Sequence, residues 1–170
     1  MEITDDVRSR MGTATVTDGI WTLSYVRHLA HPPEKVWRAI TESEHIAAWF
    51  PADIVGERRA GADVDMPFWP DIAERFEVAE PDTHGHIEVW DPPTRFELLW
   101  EDERLRWVLE PTTAGTTLSL TVVVQDATIA TDAAAGYHVC LDRLEHLLDT
   151  AEELPLIDHP TALAAAYANG

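Results

Sequence analysis

The chain has 170 residues, 45% of them hydrophobic, and its 31 acidic against 12 basic side chains give a formal net charge of −19. This length and apolar content are enough for one domain with a substantial core. Because an acidic surface repels phosphate backbones and anionic lipid headgroups, we expect neither a nucleic acid nor a membrane partner.

Three features of the sequence predict a cytoplasmic location. The first ten residues, MEITDDVRSR, are polar and lack the apolar core of a signal peptide, and no run approaches the roughly 20 apolar residues of a membrane span. The single cysteine, Cys140, cannot form an internal disulfide, which fits a reducing compartment.

The N-terminal region is predicted to contain an arm and a hairpin. Residues 1–12 show no periodicity and are expected to be flexible. Two extended segments, Thr13–Val16 and Ile20–Ala30, flank Asp18 and Gly19, a pair suited to positive backbone φ angles.

Two short helices are predicted next. Pro33 is tolerated in a first helical turn, so a helix should begin at about Glu34. Thr41 and Glu44 have the spacing of a capping box, which predicts a break and a second helix. The apolar residues of that second helix are Ile46, Trp49 and Phe50.

The middle of the chain reads mainly as strands. Asp53–Glu57 and Ala62–Phe68 are predicted strands, whereas Ile72–Ala79 fits a strand or a helical turn equally well. Firmer strands follow at Gly85–Trp90, Arg95–Trp100, Arg104–Glu110 and Thr116–Gln125. Alternation in the last three places one set of side chains on a single apolar face: Phe96, Leu98, Trp100, Leu105, Trp107, Leu109, Leu118, Leu120, Val122 and Val124. In Gly85–Trp90 we expect Ile87 and Val89 to face inward.

A long helix is predicted near the C-terminus, with Asp132 as its cap and an end near Glu153. Its buried stripe is Tyr137, Leu141, Leu144 and Leu148. Gly136 costs a helix about 1 kcal/mol relative to alanine, so we expect it to permit a close approach. Thr161–Ala168 is predicted to form one more short helix.

Four runs, PPEKVWRAITESEHIAAWF, WDPPTRFELLW, GTTLSLT and GYHVCLDRLEHLL, together resemble the START-like SRPBCC superfamily. Within it they are most similar to the bacterial family named after the activator of heat-shock-protein-90 ATPase. The resemblance covers about Trp21 to Thr150. It implies an α+β helix-grip fold, in which a curved antiparallel β-sheet wraps around a long C-terminal α-helix and two short helices follow the first strand. The chain then divides into an arm (1–12), the START-like domain (13–154) and a tail with a short helix (155–170).

The resemblance also implies a cavity between the sheet and the last helix, which in such folds takes lipid-like or aromatic small molecules. Trp49 and Phe50 would lie at its closed end. Carried onto this sequence, the other ligand-binding positions are Phe68, Leu98, Trp100, Trp107 and Leu120 on the sheet side, and Tyr137 and Leu141 on the helix. Tyr137 stands where relatives usually have tryptophan, so a phenol that can donate and accept replaces an indole donor.

Other chemistry is less well supported by the sequence. His84 and His86 share a strand face with Glu88 and could be drawn as a metal site, but solvated strand residues are the preferred interpretation. Cys140 lies on an apolar helix and is interpreted as an inert thiol. We therefore predict no metal, no cofactor and no catalytic residue.

Three functions remain open at this stage. The preferred hypothesis is a protein that binds a small apolar or aromatic molecule, with no assigned reaction. The alternatives are a polyketide cyclase/aromatase-like or hydrolytic enzyme that uses the same cavity, and a chaperone ATPase co-regulator. Exposed sheet edges and the C-terminal tail are surfaces through which a homodimer could form.

Overall fold

The computed structural model describes residues 1–156 and 160–170. Within these residues seven strands form one antiparallel sheet, against which the longest helix packs. The strands are β1 (Thr13–Thr17), β2 (Ile20–Leu29), β3 (Asp63–Pro67), β4 (Asp82–Asp91), β5 (Arg95–Trp100), β6 (Glu103–Thr112) and β7 (Gly115–Val124). The helices are α1 (Asp5–Arg10), α2 (Pro33–Thr41), α3 (Ser43–Ile46), α4 (Pro70–Arg75), α5 (Ala130–Thr150) and α6 (Thr161–Ala168).

The strand order is β1-β2-β7-β6-β5-β4-β3, with every neighbouring pair antiparallel. The sheet curves around α5, and the two short helices α2 and α3 follow the opening hairpin. This is the α+β helix-grip fold that the sequence predicts. Within the described residues, no helix is both long enough and apolar enough to span a bilayer.

The N-terminal arm is more ordered than predicted. Residues 5–10 form α1, whose first turn is capped by a hydrogen bond from the Val7 amide to Thr4 Oγ1 (3.2 Å). The guanidinium group of Arg10 bonds Asp142 on α5 at 2.9 Å. This helix was not predicted from the sequence, because contacts with α5 stabilise a helix too short to be stable alone.

The opening hairpin is confirmed. Asp18 and Gly19 connect β1 and β2 with φ angles of 53° and 80°. The first helix of the pair begins at Pro33, also as predicted.

The predicted capping box is wrong. The Thr41 hydroxyl donates back to the Trp37 carbonyl oxygen at 2.7 Å, and Glu42 occupies the position before α3. The second helix ends at Ile46, so Trp49 and Phe50 lie in the turns that follow it. Both rings are nevertheless buried, which places them where the helix pair meets the sheet.

The segment between α3 and β4 departs furthest from expectation. In place of a strand at Asp53–Glu57, the described residues contain isolated bridges, which pair Ala52 with Phe68 and Val55 with Asp65. The first half of the ambiguous stretch belongs to α4 and the rest has no regular structure; Ile72 and Phe76 line the same cavity as α5.

The predicted apolar face of β5, β6 and β7 is confirmed. Its side chains are buried, apart from half-buried Trp100. The expectation for β4 is half wrong: Ile87 faces inward, but a β-bulge lies between Ile87 and Val89. The bulge shifts the alternation by one residue, so Trp90 pairs with Phe96 on the inner face, whereas Val89 pairs with Glu97 on the outer face.

The last two helices are close to their predicted positions. The stripe Tyr137, Leu141, Leu144 and Leu148 of α5 is buried, as expected. Asp132 is not its cap, because α5 begins two residues earlier, after Ile129. Leu163 and Tyr167 of α6 are buried, and residues 157–159 of the predicted tail lie outside the described residues.

Candidate functional site

A cavity of about 350 Å³ lies against the N-terminal half of α5. Its walls come from the turns after α3, the residue after β3, α4 and the residues after it, the last residue of β5 and the first of β6, one face of α5, and the C-terminal tail. The lining residues are Ala47, Trp49, Phe50, Pro51, Phe68, Ile72, Phe76, Val78, Trp100, Glu103, Asp132, Ala133, Gly136, Tyr137, Val139, Cys140, Arg143, Leu156 and Pro160. This volume is within the range of roughly 300–1,000 Å³ that is usual for small-molecule sites.

The helix side of the cavity is a strip of α5 beside its core stripe. Ala133, Gly136, Cys140 and Arg143 follow one another at intervals of three and four residues, so they share one helix face. A Cβ atom added at Gly136 would meet no atom of the described residues within 4 Å. Gly136 therefore borders open space in the cavity, and the expectation that it permits a close approach is wrong.

The opposite side of the cavity is mainly aromatic. The Trp100 ring lies 5.2 Å from the Phe50 ring and 5.6 Å from the Phe68 ring, measured between centroids. The Trp49 ring contacts Phe50 at 5.2 Å. Phe76 remains 38% exposed, which places a large apolar side chain at the rim.

Hydrogen bonds donated by the indole N–H groups hold two of these rings in place. Trp49 Nε1 donates to the Ala39 carbonyl oxygen at 2.8 Å, and Trp100 Nε1 donates to Thr83 Oγ1 at 2.7 Å. Because their N–H groups bond within the protein, these tryptophans offer the cavity their apolar surfaces.

One pair of titratable side chains lies at the wall. The Tyr137 hydroxyl of α5 donates to Oε2 of Glu103, the first residue of β6. Burial raises the pKa of Glu103, and the bond from Tyr137 opposes part of that rise. Burial, followed by the nearby Glu103 carboxyl, raises the pKa of Tyr137 well above its ordinary value. The pair therefore keeps the phenol protonated, with its hydrogen directed at the carboxyl.

The thiol and the guanidinium group on the helix side are unsuited to nucleophilic attack or substrate pairing. Burial raises the pKa of the Cys140 thiol to about 12, with the charge of Arg143 opposing, so the unreactive protonated form prevails at neutral pH. Arg143 donates from Nη2 to the Ala48 carbonyl oxygen (2.8 Å) and from Nη1 to that of Pro155 (3.0 Å). Arg143 thus connects α5 to the turn after α3 and to the tail.

The structure brings together some of the residues that the resemblance suggested and separates others. Those at the cavity are Trp49, Phe50, Phe68, Trp100 and Tyr137. Leu98 and Trp107 instead border a void of about 10 Å³, which is too small for an organic ligand. Leu120 and Leu141 are packed in the core, with 1% and 0% exposure.

Sequence reasoning missed Glu103 and the contribution of α4. Glu103 lies in an acidic run between the predicted strands Arg95–Trp100 and Arg104–Glu110, but the alternation of Leu105, Trp107 and Leu109 extends back to it and places it on the inner face. Ile72 and Phe76 gave no comparable signal, because their segment fits a strand and a helix equally well.

Two clusters of potential metal ligands lie outside the cavity. His84 and His86 on β4 bond Asp65 and Asp63 on β3 through Nδ1, at 3.0 and 2.7 Å. In the described part of the chain, ligand atoms of the sequence neighbours Glu42, Glu44 and His45 also lie within 4.8 Å of one another. Exposed acidic groups commonly lie this close without an ion, so we assign no metal site to either cluster.

Comparison with known proteins identifies the family. The family model described as "Activator of Hsp90 ATPase homolog 1-like protein" matches residues 30–149, which is more than half of the chain. The chain belongs to this family. The matched region begins directly after β2 and contains α2, α3, α4, the sheet from β3 to β7, and nearly all of α5, so the Activator of Hsp90 ATPase homolog 1-like domain supplies most of the cavity wall. No match is found among curated proteins.

Solved structures with the same fold include proteins from several bacteria. A conserved protein of unknown function from Enterococcus faecalis is 19% identical, with a TM-score of 0.77 over 96% of this chain and 92% of that chain. CalU16 from Micromonospora echinospora is 16% identical (TM-score 0.64, 94% and 92% covered). An AHSA1-like protein from Aeromonas hydrophila is 17% identical (TM-score 0.61, 80% and 99% covered). At these identities the likeness establishes the fold alone, and proteins of this fold family are often ligand-binding.

Proposed function

We propose that this protein binds a small apolar or aromatic molecule in the cavity beside α5. The aromatic wall formed by Phe50, Phe68 and Trp100 is the observation that carries the proposal. Binding of an apolar ligand among large apolar rings is favourable, because the ligand replaces water and removes apolar surface from solvent.

Gly136 adds support from the opposite wall. Glycine in the interior of a helix destabilises it by about 1 kcal/mol relative to alanine, and at this position the missing side chain relieves no close contact among the described residues. What the missing side chain does is leave space in the cavity. A glycine that destabilises its helix without improving packing is expected where the open volume accommodates a ligand.

The proposal predicts that filling the cavity abolishes binding without unfolding the protein. N-phenylnaphthylamine, an uncharged apolar fluorophore, should bind the native protein at one site per chain. Gly136→Leu places an isobutyl group in the cavity and should weaken that binding by at least about tenfold. Fluorescence titration measures both values, and mass spectrometry of the purified native protein identifies any molecule that it already holds.

Gly136→Ala is the matched control, since it makes the same helix-favouring change but adds only a methyl group. It should retain binding within about threefold. Equal binding by the wild type and Gly136→Leu, with both folded by circular dichroism, would contradict the proposal.

A second candidate, an enzyme of cyclase or hydrolase type, is favoured by the Glu103–Tyr137 pair. A carboxyl group with a raised pKa in contact with a phenol is a combination that can hold and transfer a proton beside an apolar substrate. If the pair catalyses a reaction, Glu103→Gln and Tyr137→Phe should each abolish turnover of the co-purified molecule, a loss much larger than the change in its binding. Liquid chromatography of that molecule after incubation with fresh protein tests this.

A further inference from the structure

We propose that the ligand is an apolar or aromatic amine, bound as a cation with its ammonium group at Glu103. The inference rests on the proposed function and adds the chemical class of the ligand. It follows from which hydrogen-bonding groups at the wall are already paired, and from where negative charge lies relative to the aromatic rings.

The strong donors whose bonds are defined at the wall already have acceptors within the protein. Tyr137 has a single hydroxyl hydrogen, and it is directed at Glu103. The indole hydrogens of Trp49 and Trp100 go to Ala39 and Thr83, as described above. To obtain a donor from these three side chains, a ligand carboxylate or phosphate would have to displace one of their bonds, which costs the displaced bond.

Acceptor capacity, in contrast, remains. A carboxylate offers about four lone-pair sites, and the bond from Tyr137 uses one of those on Glu103. The Tyr137 oxygen can also accept while it donates. A ligand group that brings its own hydrogens therefore complements this part of the wall.

Charge favours a positive group over a neutral one. A cation opposite the half-buried Glu103 side chain stabilises its ionised form, which burial disfavours. The chain as a whole carries −19, and Asp132 adds a second carboxyl group to the lining. The resulting potential concentrates cations near the cavity.

The aromatic rings lie where a cation would contact them. Trp100 and Glu103 are direct cross-strand partners between β5 and β6, which places their Cβ atoms about 4.5–5.5 Å apart. Phe50 and Phe68 flank Trp100 within 6 Å. Aromatic faces beside a carboxylate attract ammonium groups through cation–π interactions as well as through charge.

Arg143 is the group at the wall that would instead favour an anion. Both of its terminal nitrogens donate to backbone carbonyl oxygens, those of Ala48 and Pro155. These two bonds hold the guanidinium group against the turn after α3 and the tail, and the N–H groups that they leave over form the competing anion site that the acid probe tests.

The test uses three probes that share one skeleton: naphthylethylamine, naphthylethanol and naphthylacetic acid. Isothermal titration at neutral pH should give an affinity for the amine about tenfold higher than for the alcohol, and the acid should bind most weakly. The amine is protonated under these conditions, since alkyl ammonium groups have pKa values near 10.

Glu103→Gln isolates the charge, because the amide oxygen can still accept the Tyr137 hydrogen bond. This variant should lose the tenfold preference for the amine and keep the affinity for the alcohol within about threefold. Asp102→Asn is the matched control: it removes one negative charge from the exposed neighbouring turn residue and should leave the preference intact.

The outcomes separate the two proposals. If the alcohol or the acid binds as tightly as the amine, or if the preference persists in Glu103→Gln, the amine inference is overturned while ligand binding stands. If none of the three probes binds, and N-phenylnaphthylamine does not bind either, both proposals fail together.

Discussion

Two glycines make opposite contributions to this molecule, and the difference is set by the space around each Cβ position. At Gly136 that space is open, whereas a Cβ atom at Gly115 would lie 2.1 Å from the carbonyl oxygen of Leu29. Gly115 also has a φ angle of 149°, which side chains of L-residues disfavour.

The contrast predicts opposite effects of the same substitution on stability. Gly136→Ala should raise the free energy of unfolding by about 0.5–1 kcal/mol, because alanine favours the helix and its methyl group enters empty space. Gly115→Ala should lower it by more than about 1 kcal/mol. Urea denaturation of both variants provides the measurement, and a destabilised Gly136→Ala would mean that the space beside α5 is not open.

At single positions, the sequence predicted burial better than function. Strict alternation identified the inner face of β5 to β7, because side chains point to opposite faces at every step. The same rule wrongly placed Val89 inward and Trp90 outward, because it assumes an unbroken strand. The β-bulge in β4 reverses both positions, and no residue pattern in the sequence marks it. Glu103 was missed because acidic residues in a turn are ordinarily solvated, and its contact with Tyr137 joins residues 34 positions apart.

At the scale of elements, α5 has a polar side as well as the cavity side. Tyr167 of α6 accepts a hydrogen bond from the Gly12 amide (2.9 Å) and contacts His138 Nδ1 at 3.3 Å. Arg10 of α1 pairs with Asp142 of the same helix. Both terminal segments are thus attached to α5 through polar groups, next to a fully buried histidine.

Removing one hydroxyl group tests this attachment. Tyr167→Phe keeps the ring but deprives the Gly12 amide and His138 of a partner, so the free energy of unfolding should fall by about 1–2 kcal/mol. Limited proteolysis should also cut the N-terminal residues and the tail faster than in the wild type. Unchanged stability and cleavage would show that packing alone holds these segments.

These attachments explain which elements sequence reasoning missed. The long helix and the hairpin were predicted because periodicity and turn residues are local signals. Helix α1 has six residues and was not predicted, since its stability depends on Asp142, far along the chain. Helix α3 was predicted with the wrong cap because Thr41 bonds within α2 rather than forward.

At the scale of the whole molecule, two carboxyl groups give stability an opposite dependence on pH. Burial alone would raise the pKa of Asp142, but the hydrogen bond and charge of His138, followed by those of Arg10, lower it to about 2. An unfolded aspartate titrates near 3.9, so Asp142 stabilises the fold above about pH 4 and this contribution is lost as pH falls toward 2. Glu103 has a raised pKa, so its contribution is present at low pH and is lost as pH rises through that value.

Two substitutions separate these contributions in a series of urea titrations across pH. Asp142→Asn should flatten the acid side of the stability profile and lower the plateau at neutral pH by about 1–3 kcal/mol, because Arg10 and Arg27 lose a shared partner. Glu103→Gln should flatten the profile where the Glu103 carboxyl titrates, with little loss at neutral pH. An acid limb unchanged in Asp142→Asn would assign acid sensitivity to other carboxylates.

The fold of the whole chain was predictable because four motifs in order specified the family, and family membership is confirmed. The cavity was predictable only in outline, since its walls depend on where α4 and the β5–β6 connection come to lie. A cytoplasmic location, a homodimer and the division of the chain at residues 12 and 154 remain predictions.

The cavity wall is assembled from four stretches that are distant in the chain: residues 47–51, 68–78, 100–103 and 132–143, with the tail beside them. An unfolded chain has no such site, so any occupant binds the folded state alone. Occupancy and folding are therefore thermodynamically linked, and a ligand at 100 times its dissociation constant would add about 2.7 kcal/mol to the unfolding free energy. In the cell, the abundance of the folded protein would then follow the concentration of its ligand.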